Sequence, residues 1–406
     1  MSEGAPGRPV RAAGVGRRPT GHASEVETTS SVRTFDMPRA DRVLEGPGSL
    51  AALPDELARR GVSRVVMISG SSVAALDEVD ALRRALDDRL VATSTGIAAH
   101  NPSSSVEAVV ATARDAGADA VVAVGGGSPI DAAKLVAYAL AEGVTDLEHH
   151  VGTPELTGTP VPVVAVPTTL SAAEWNGLAG LTVEREQTKH GLFHPRLAPT
   201  VVVLDPDLAR HTPRDLWTTT GVRAIDHAVE TTYAADGHPF GTGLARQALT
   251  MLAAHLPRTN DHADDRWATL RCQQAAELSV LAIPNVTFGL SHAIGHQLGA
   301  AGVPHGVTSC VMMPHVVRFF ADAAPEAMDV IADALAAGGR PRRDAADMLD
   351  ALLDDLRVPR TLGDCGLRED QLDDIAAATL VEQHALDVAP RPVGQRDVRD
   401  LLQAAL

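Results

Sequence analysis

Four histidines in the second half of the chain have the spacing of a reactive or metal-binding cluster. His292 and His296, in the stretch GLSHAIGHQLG, are four residues apart and therefore lie on one face of a helix. His305 follows in a Val-Pro-His-Gly turn, and His227 belongs to a separate helix predicted over 219–235. Neutral imidazoles can hold a divalent metal, or they can donate protons and hydrogen bonds to an oxyanion. Both chemistries are open at this point.

A glycine-rich turn in the first half has the composition of a phosphate-binding loop. The stretch VGGGSPIDAAK, residues 124–134, closes an apolar run and leads directly into a predicted helix. The glycines allow a ligand to approach the backbone closely, and Ser128 adds a hydroxyl donor at a helix start that attracts anions. The spacing matches neither the GxGxxG nor the GxxxxGK[ST] pattern. A glycine-rich turn without a ligand is the alternative interpretation.

Two further polar segments follow apolar runs. In AVPTTLSAAEWNG, Thr168 and Thr169 come at the end of a strand predicted over 161–166, and HNPSSS over 100–105 precedes another helix. Open α/β sheets bind ligands outside the carboxyl ends of their strands. These segments therefore favour a ligand at the glycine turn.

The elements that carry these residues alternate in the first half and are helical in the second half. Helical patterns separate the apolar runs, which lie at 65–68, 120–124, 161–166 and 200–204. This alternation predicts a parallel sheet covered on both faces. After Asp205 the β-branched runs stop, and helical patterns continue to the C-terminus. We therefore predict a disordered leader over 1–34, an α/β domain over 35–205 and a helical domain over 206–406.

Composition limits the partners and the location of the protein. The formal net charge of −17 and the lack of a dense Lys/Arg stripe argue against nucleic acid as a partner. No apolar run reaches the roughly 18 residues of a membrane span. The cysteines Cys272, Cys310 and Cys365 form no CxxC pair, which is typical of a reducing compartment. We expect a cytoplasmic protein.

Taken together, the motifs GGGSPIDAAK, PTT followed by AAE, and HAIGHQLG followed by PHG resemble the iron-containing (group III) alcohol dehydrogenase family. This family includes the maleylacetate reductases and is related to glycerol dehydrogenase and dehydroquinate synthase. The resemblance covers residues 35–390. It implies an α/β N-terminal dinucleotide-binding domain plus an all-α C-terminal domain. It also implies that NAD(P) binds in a cleft between them, next to a metal ion or to the residues that replace the metal ion.

The resemblance also implies which residues bind NADH or NADPH. The implied contacts are Gly126, Gly127 and Ser128 for the pyrophosphate, Thr168 and Thr169 for the adenine and ribose side, Lys189 for the ribose region, and Asn101 for the nicotinamide side. NAD-selective members carry an Asp after the first strand of this domain, where it repels a 2′-phosphate. Gly70 occupies that position here, so nothing there repels NADPH.

By the same resemblance, His296 corresponds to the histidine beside the nicotinamide. The corresponding metal-binding histidines are His227, His292 and His305. Metal-dependent members carry an Asp four residues before the first of these, whereas this chain carries Arg223. A guanidinium cannot ligate a cation and repels it. Asp226 points about 100° away from its neighbour around a helix and is a poor substitute. The departure argues against bound Fe2+ or Zn2+.

Arg223 has three open interpretations. Maleylacetate reductases lack the Asp as well, and an arginine can stabilise the enolate that forms when hydride reduces an alkene conjugated to a ketone. The guanidinium can also bind a substrate carboxylate in a bidentate pair. Alternatively, Arg223 forms an ion pair with Asp226 or Glu230.

The leading hypothesis is an NAD(P)H-dependent oxidoreductase that transfers hydride to a small carbonyl or enone acid, similar to maleylacetate reductase and independent of a metal. Its expected catalytic residues are His296, His227, His292 and Arg223. An iron- or zinc-dependent alcohol dehydrogenase or aldehyde reductase is the alternative within the family. A dinucleotide-binding scaffold without turnover is the alternative from another class. Family members are usually dimers or larger, which implies a homo-oligomer.

Overall fold

The structure is a computed structural model that describes residues 40–98, 100–186, 188–282 and 287–406. The leader predicted over 1–34 lies outside these residues.

A parallel β-sheet organises the first half of the described chain. The strands are β1 (Arg42–Glu45), β2 (Val65–Ser69), β3 (Leu90–Thr95), β4 (Ala120–Gly125), β5 (Val163–Pro167), β6 (Leu178–Val183), β7 (Thr188–Phe193) and β8 (Val201–Leu204). Six of the strands in the described residues form one sheet in the order β1, β8, β5, β4, β2, β3, and every pairing in it is parallel. The apolar runs of the sequence correspond to β2, β4, β5 and β8, which are buried along their whole length.

The order in which the strands are added reverses between β2 and β4. β2 pairs with β3 on one side and with β4 on the other, and β5 and β8 then continue outward from β4. Ligands of open α/β sheets bind at the carboxyl ends of the strands at such a reversal. β4 ends at Gly125, so the glycine turn lies at this point of the sheet.

β6 and β7 form a separate antiparallel hairpin, which the sequence analysis did not predict. Alternate residues of β6 are buried, as expected for a strand with one solvated face. The helix Gly127–Glu142, which follows the glycine turn, packs against β6. The hairpin therefore places residues from the segment after β5 beside the helix that follows the glycine turn.

Helices cover the sheet and build the second half. Those of the first half are α1 (Leu53–Arg59), α2 (Ser71–Ala74), α3 (Asp77–Leu86), α4 (Ser103–Asp115) and α5 (Gly127–Glu142). Those of the second half are α6 (Pro206–Ala209), α7 (Arg214–Tyr233), α8 (Pro239–Asp261), α9 (Arg266–Val280), α10 (Leu290–Ala300), α11 (His305–Phe320), α12 (Pro325–Ala337), α13 (Ala345–Leu356), α14 (Leu372–Thr379), α15 (Gln383–Asp387) and α16 (Gln395–Ala405). No helix of the described residues has the length and apolar character needed to cross a membrane.

Separate apolar cores form on the two faces of the sheet and within the helical half. Alternate residues of β2 enter opposite cores: Val66 and Ile68 pack on one face, and Val65 and Met67 on the other. Leu170, in the loop after β5, belongs to the core of the helical half. The predicted fold class, an α/β dinucleotide-binding half plus an all-α half, is confirmed, while the domain limits 35–205 and 206–406 stay a prediction.

Candidate active site

The glycine turn joins β4 to α5 through three residues that have no side chain of their own, Gly125, Gly126 and Gly127. Gly125 has a φ of +146°, which favours glycine, and a Cβ there would lie 3.0 Å from Pro129 Cγ. A Cβ on Gly126 would lie 3.1 Å from Thr169 Cγ2. Glycine therefore lets the Pro129 and Thr169 side chains pack directly against the turn. The first backbone N–H groups of a helix have no partner within the helix, and such groups can bind a pyrophosphate.

Thr168 and Thr169 follow β5, the neighbour of β4, and lie against this turn. The backbone N–H of Thr168 donates to the carbonyl of Gly125 at 2.9 Å. Thr169 Oγ1 donates to Ser171 Oγ at 3.2 Å, and a Cβ on Gly127 would lie 3.3 Å from that same Ser171 oxygen. The two loops together form one surface of amide and hydroxyl groups.

Asn101 and Ser128 are connected at the edge of this surface through His100. The backbone N–H of His100 donates to Ser128 Oγ at 3.3 Å. Asn101 has a φ of +52°, and its Nδ2 donates to the carbonyl of Gly180 in β6 at 3.1 Å. Asn101 is only 1% exposed, and its Oδ1 has no hydrogen-bond partner among the described residues. A buried amide oxygen without a partner is expected where a polar ligand binds.

Lys189 reaches the same edge from β7. A Cβ on Gly180 would lie 2.7 Å from Lys189 Cε, so the glycine leaves room for the lysine side chain. Burial, and then the nearby Lys189 charge, lowers the pKa of His100. The structure thus brings to one edge of the sheet all the predicted coenzyme residues, Gly126, Gly127, Ser128, Thr168, Thr169, Asn101 and Lys189.

The loop after β5 also contacts helix α7 of the second half. The backbone N–H of Leu170 donates to Thr220 Oγ1 at 3.2 Å. Thr212, just before α7, donates through Oγ1 to the carbonyl of Thr168 at 2.6 Å. Arg223 follows Thr220 by about one helical turn. The position of the loop after β5 is therefore coupled to the position of Arg223.

Helix α7 carries a buried polar stripe. Its members are Arg223, Asp226, His227 and Glu230, spaced i, i+3, i+4 and i+7. Arg223 Nη1 donates to Ser309 Oγ of α11 at 3.0 Å and lies 4.0 Å from Asp226 Oδ2. Arg223 thus lies within ion-pair distance of Asp226, as the third interpretation of the sequence expected.

Asp226 faces the same cluster as His227, although the two are neighbours on the helix. Asp226 Oδ2 accepts hydrogen bonds from Ser291 Oγ at 2.8 Å and from Ser309 Oγ at 2.6 Å. His292 packs close to both, because its Nδ1 lies 3.6 Å from Asp226 Oδ2 and its ring stacks on His227 with centroids 5.0 Å apart. The sequence analysis expected Asp226 to point away from His227 around the helix. Because His292 lies close to both side chains, Asp226 belongs to the same cluster.

Glu230 binds the N-terminus of α10. Its carboxylate accepts the backbone N–H groups of Gly289 at 2.7 Å, Ser291 at 2.8 Å and His292 at 3.3 Å, together with the Tyr233 hydroxyl at 3.1 Å. An anion at a helix N-terminus is favourable. Glu230 Oε2 also lies 2.6 Å from His292 Nδ1. Glu230 thereby fixes the helix that carries His292.

Burial sets the charges in the cluster. It lowers the pKa of His227 and His292 well below the usual value, so both imidazoles are neutral. It raises the pKa of Asp226 to about 7 and also raises that of Glu230, while Arg223 opposes both shifts. Because a guanidinium stays protonated even when burial lowers its pKa, Arg223 supplies positive charge beside carboxyls that burial pushes toward neutrality.

His296 differs from the other described histidines of the cluster in exposure and in partner. Its side chain is 30% exposed, and its Nδ1 lies 2.9 Å from Glu382 Oε2. The predicted fourth histidine, His305, begins α11, but its side chain lies outside what the structure describes, and its metal-binding role stays a prediction.

The comparisons with known proteins cover both halves of the chain. Residues 40–206 match the family model described as iron-containing alcohol dehydrogenase, and residues 217–406 match the model of the C-terminal part of that family. The chain belongs to the iron-containing alcohol dehydrogenase family. It is accordingly an NAD(P)-dependent oxidoreductase, which confirms the resemblance noted in the sequence.

Members named for different activities are similar to this chain. Maleylacetate reductase 2 of Cupriavidus pinatubonensis is 33% identical over 368 residues, which cover 90% of this chain and 94% of the relative. Long-chain-alcohol dehydrogenase 1 of Geobacillus thermodenitrificans is 28% identical over 372 residues, covering 89% and 94%. The crystal structure of maleylacetate reductase from Agrobacterium tumefaciens has a TM-score of 0.79 at 28% identity and covers 92% of this chain and 99% of its own.

Among the residues that the structure describes, the surroundings of Arg223 are unfavourable for the metal ion that the family name implies. A Cβ on Gly295 would lie 3.4 Å from Arg223 Nη1. This glycine of α10, which lies between His292 and His296 in the chain, therefore leaves room for the guanidinium of Arg223. Within the described chain, only Asp226, Glu230 and His292 have ligand atoms that all lie within 4.8 Å of one another. Glu230 already accepts backbone N–H groups, and Arg223 repels a cation.

The sequence analysis missed several residues of the cluster. Glu382 lies outside every motif, and no local signal relates it to His296. Ser291 and Ser309 also lack a signal of their own. Glu230 was named only as an ion-pair partner of Arg223, and its contact with the N-terminus of α10 was not predicted.

Proposed function

We propose that this enzyme uses NADH or NADPH to reduce a small carbonyl or enone acid of the maleylacetate type, and that Arg223 supplies the positive charge that a metal supplies in other members. The observation that carries the proposal is the guanidinium of Arg223, buried beside neutral imidazoles and oriented by Ser309 and Asp226. The similarity to proteins named maleylacetate reductase supports the choice of substrate class.

The edge of the sheet supports the binding of the coenzyme. The bare backbone of Gly126 and Gly127 at the start of α5, with the hydroxyl of Ser128, suits the pyrophosphate. Thr168, Thr169 and Lys189 serve the adenine and ribose parts, and Asn101 the nicotinamide. When bound, the dihydronicotinamide supplies a hydride and becomes the oxidised coenzyme.

The cluster on α7 and α10 stabilises the negative charge that forms on the substrate and supplies the proton. Hydride addition to the alkene carbon conjugated to a ketone moves the negative charge to the ketone oxygen as an enolate. Arg223 stabilises this oxyanion, and the neutral His227 and His292 add polar donors in a site that burial keeps dry. His296 donates the proton that completes the reduction at the carbon next to the carbonyl.

Arg223 retains charge for this role in spite of its carboxyl neighbours. Its distance of 4.0 Å from Asp226 Oδ2 is longer than a hydrogen bond, and burial raises the pKa of Asp226 to about 7. Burial thus disfavours the charged form of Asp226, and the Ser309 hydroxyl lies between this carboxyl and the guanidinium. A substrate carboxylate or enolate oxygen can use the remaining positive charge.

A metal-dependent alcohol dehydrogenase or aldehyde reductase is the second candidate. It is favoured by one observation, that His227 Nδ1 and His292 Nε2 have no hydrogen-bond partner among the described residues. Iron or zinc in stoichiometric amount in the purified protein would support this candidate against the first.

The deciding experiment measures oxidation of NADH and of NADPH with maleylacetate after exhaustive treatment with a chelator. We expect turnover to persist and to stay unchanged when Fe2+ or Zn2+ is returned. Complete dependence on added metal contradicts the Arg223 mechanism. Tight coenzyme binding without turnover on a broad panel of carbonyl and enone acids would instead indicate a non-catalytic scaffold.

We also propose a homodimer or larger assembly in the cytoplasm. All the cysteines of the described chain are free, which suits a reducing compartment. Light scattering coupled to size exclusion tests the assembly, and a monomer at micromolar concentration would contradict it.

A further inference from the structure

We propose that Glu382 is a positioning residue that fixes the ring orientation of His296 and the nitrogen on which its proton resides. The proposal rests on the proposed function only in so far as His296 is taken as the proton donor. Glu382 precedes α15 and is separated from His296 by 86 positions in the chain.

The contact is made by both oxygens of a buried carboxylate. His296 Nδ1 lies 2.9 Å from Glu382 Oε2 and 3.1 Å from Oε1. The Glu382 side chain is only 2% exposed, whereas the His296 side chain is 30% exposed. An acidic side chain is rarely buried to this degree without a specific partner.

The carboxylate is itself held in place from two directions. Gln297 Nε2, on the residue after His296, donates to Glu382 Oε1 at 2.8 Å. The backbone N–H of Glu382 donates to the carbonyl of Thr379 at 3.1 Å, and its carbonyl accepts from Ala385 at 3.0 Å. The carboxylate therefore has a fixed position relative to α10 and can impose one orientation on the imidazole.

This arrangement determines the tautomer of His296. A carboxylate accepts hydrogen bonds only, so Nδ1 must carry the proton that points to Glu382. In the protonated imidazole the transferable proton then resides on Nε2, at the opposite edge of the ring. The neutral His227 and His292 are more deeply buried, at 6% and 2% exposed. Glu382 thus distinguishes His296 as the histidine that exchanges a proton with substrate.

The first test needs no catalytic activity. Ring 15N NMR spectra of the full-length protein identify the His296 signals by their absence in His296→Asn. We expect the wild type to show protonated Nδ1 at His296, and Glu382→Gln to lose that single preference. A His296 ring in the opposite tautomer in the wild type, or unchanged His296 signals in Glu382→Gln, overturns the proposal even if the substrate class is correct.

The second test separates chemistry from binding. We expect Glu382→Gln to lower kcat by about 10²-fold while the Kd for NADPH changes less than about twofold. Glu382→Asp keeps the charge and should recover part of kcat. His384→Asn is the matched control, because His384 Nε2 lies 3.9 Å from the same carboxylate, beyond hydrogen-bond range.

The outcomes distinguish this proposal from the function on which it rests. Failure on all carbonyl and enone acids with normal NMR signatures contradicts the proposed substrate but leaves the Glu382 assignment intact. A Glu382→Gln protein that keeps wild-type kcat overturns the positioning role. Equal loss of kcat, coenzyme affinity and thermal stability in Glu382→Gln and Glu382→Asp also overturns it, because it indicates a purely structural residue.

Discussion

Arg223 Nη1 donates a hydrogen bond to Ser309 Oγ at 3.0 Å, inside the helical half of the molecule. Ser309 in turn donates to Asp226 Oδ2 at 2.6 Å, so one hydroxyl joins the guanidinium to the carboxyl on the same helix. A long arginine side chain loses considerable freedom when it is held in this way. The fixed cation is therefore available at the site before a substrate binds.

Replacing Arg223 should damage catalysis more than folding if the charge acts on the substrate. We expect Arg223→Lys, which keeps the charge but loses the planar fork, to lower kcat/KM by about 10²-fold. Arg223→Met should lower it by about 10³-fold, because no cation remains to stabilise the enolate. Steady-state kinetics with NADPH and maleylacetate measure both effects.

The matched control for this experiment is the exposed Arg246 of α8, changed to Lys and to Met. Both variants should keep wild-type kinetics. If folded Arg223→Met also keeps wild-type kcat/KM, Arg223 has only the structural role of an ion-pair partner for Asp226.

A side chain on the glycine turn should obstruct the coenzyme. Gly126 has an ordinary φ of −79°, so Gly126→Val imposes little backbone strain, but it adds carbon where Thr169 Cγ2 already lies 3.1 Å from a Cβ. We expect the Kd for NADPH, measured by fluorescence titration, to rise at least about tenfold, equal to about 1.4 kcal/mol. Gly243→Ala, at an exposed helical position with nothing within 4 Å, is the control. Equal affinity in both variants would show that the turn does not contact the coenzyme.

Gly70, at the end of β2, should govern the choice between NADH and NADPH. A Cβ there meets nothing within 4 Å, and the residue is the N-cap of α2, where Asp is well tolerated. We expect Gly70→Asp to lower kcat/KM for NADPH by at least about tenfold through repulsion of the 2′-phosphate, with less effect on NADH. An unchanged ratio between the two coenzymes would place the 2′-position elsewhere.

Glu174 should make the folded protein less stable as the pH rises. Burial raises its pKa from 4.5 to about 7, so the unfolded chain releases this proton between these values while the folded chain keeps it. The contribution of Glu174 to the free energy of unfolding is therefore greatest below pH 4.5 and falls by about 3 kcal/mol as the pH passes 7.

The measurement compares denaturant unfolding of wild type and Glu174→Gln at about pH 5 and about pH 8. The loss of stability between the two conditions should be smaller in Glu174→Gln. Opposing contributions from His227 and His292 are the same in both proteins and cancel in the difference. Glu155→Gln, at an exposed position, should behave as wild type. An identical pH dependence in Glu174→Gln would show that Glu174 is ionised in the folded protein.

Features that depend on near neighbours were predictable from the sequence. The strand that ends in the glycine turn and the helix that follows it result from an apolar run, glycine conformations and helix periodicity. The four-residue spacing of His292 and His296 places both on one face of α10 for the same reason. The family motifs are made of such segments, and they were sufficient to predict the fold class and the type of coenzyme.

Only the tertiary structure decided which partners these residues have. The contact of His296 with Glu382 and the space that Gly295 leaves for Arg223 depend on how separate helices pack, which no local pattern encodes. The hairpin that carries Gly180 and Lys189 to Asn101 was equally hidden, because half-buried strands contain few consecutive apolar residues. The sequence by itself thus determined the elements and their reactive groups, whereas long-range packing determined burial, and burial determined which groups carry charge.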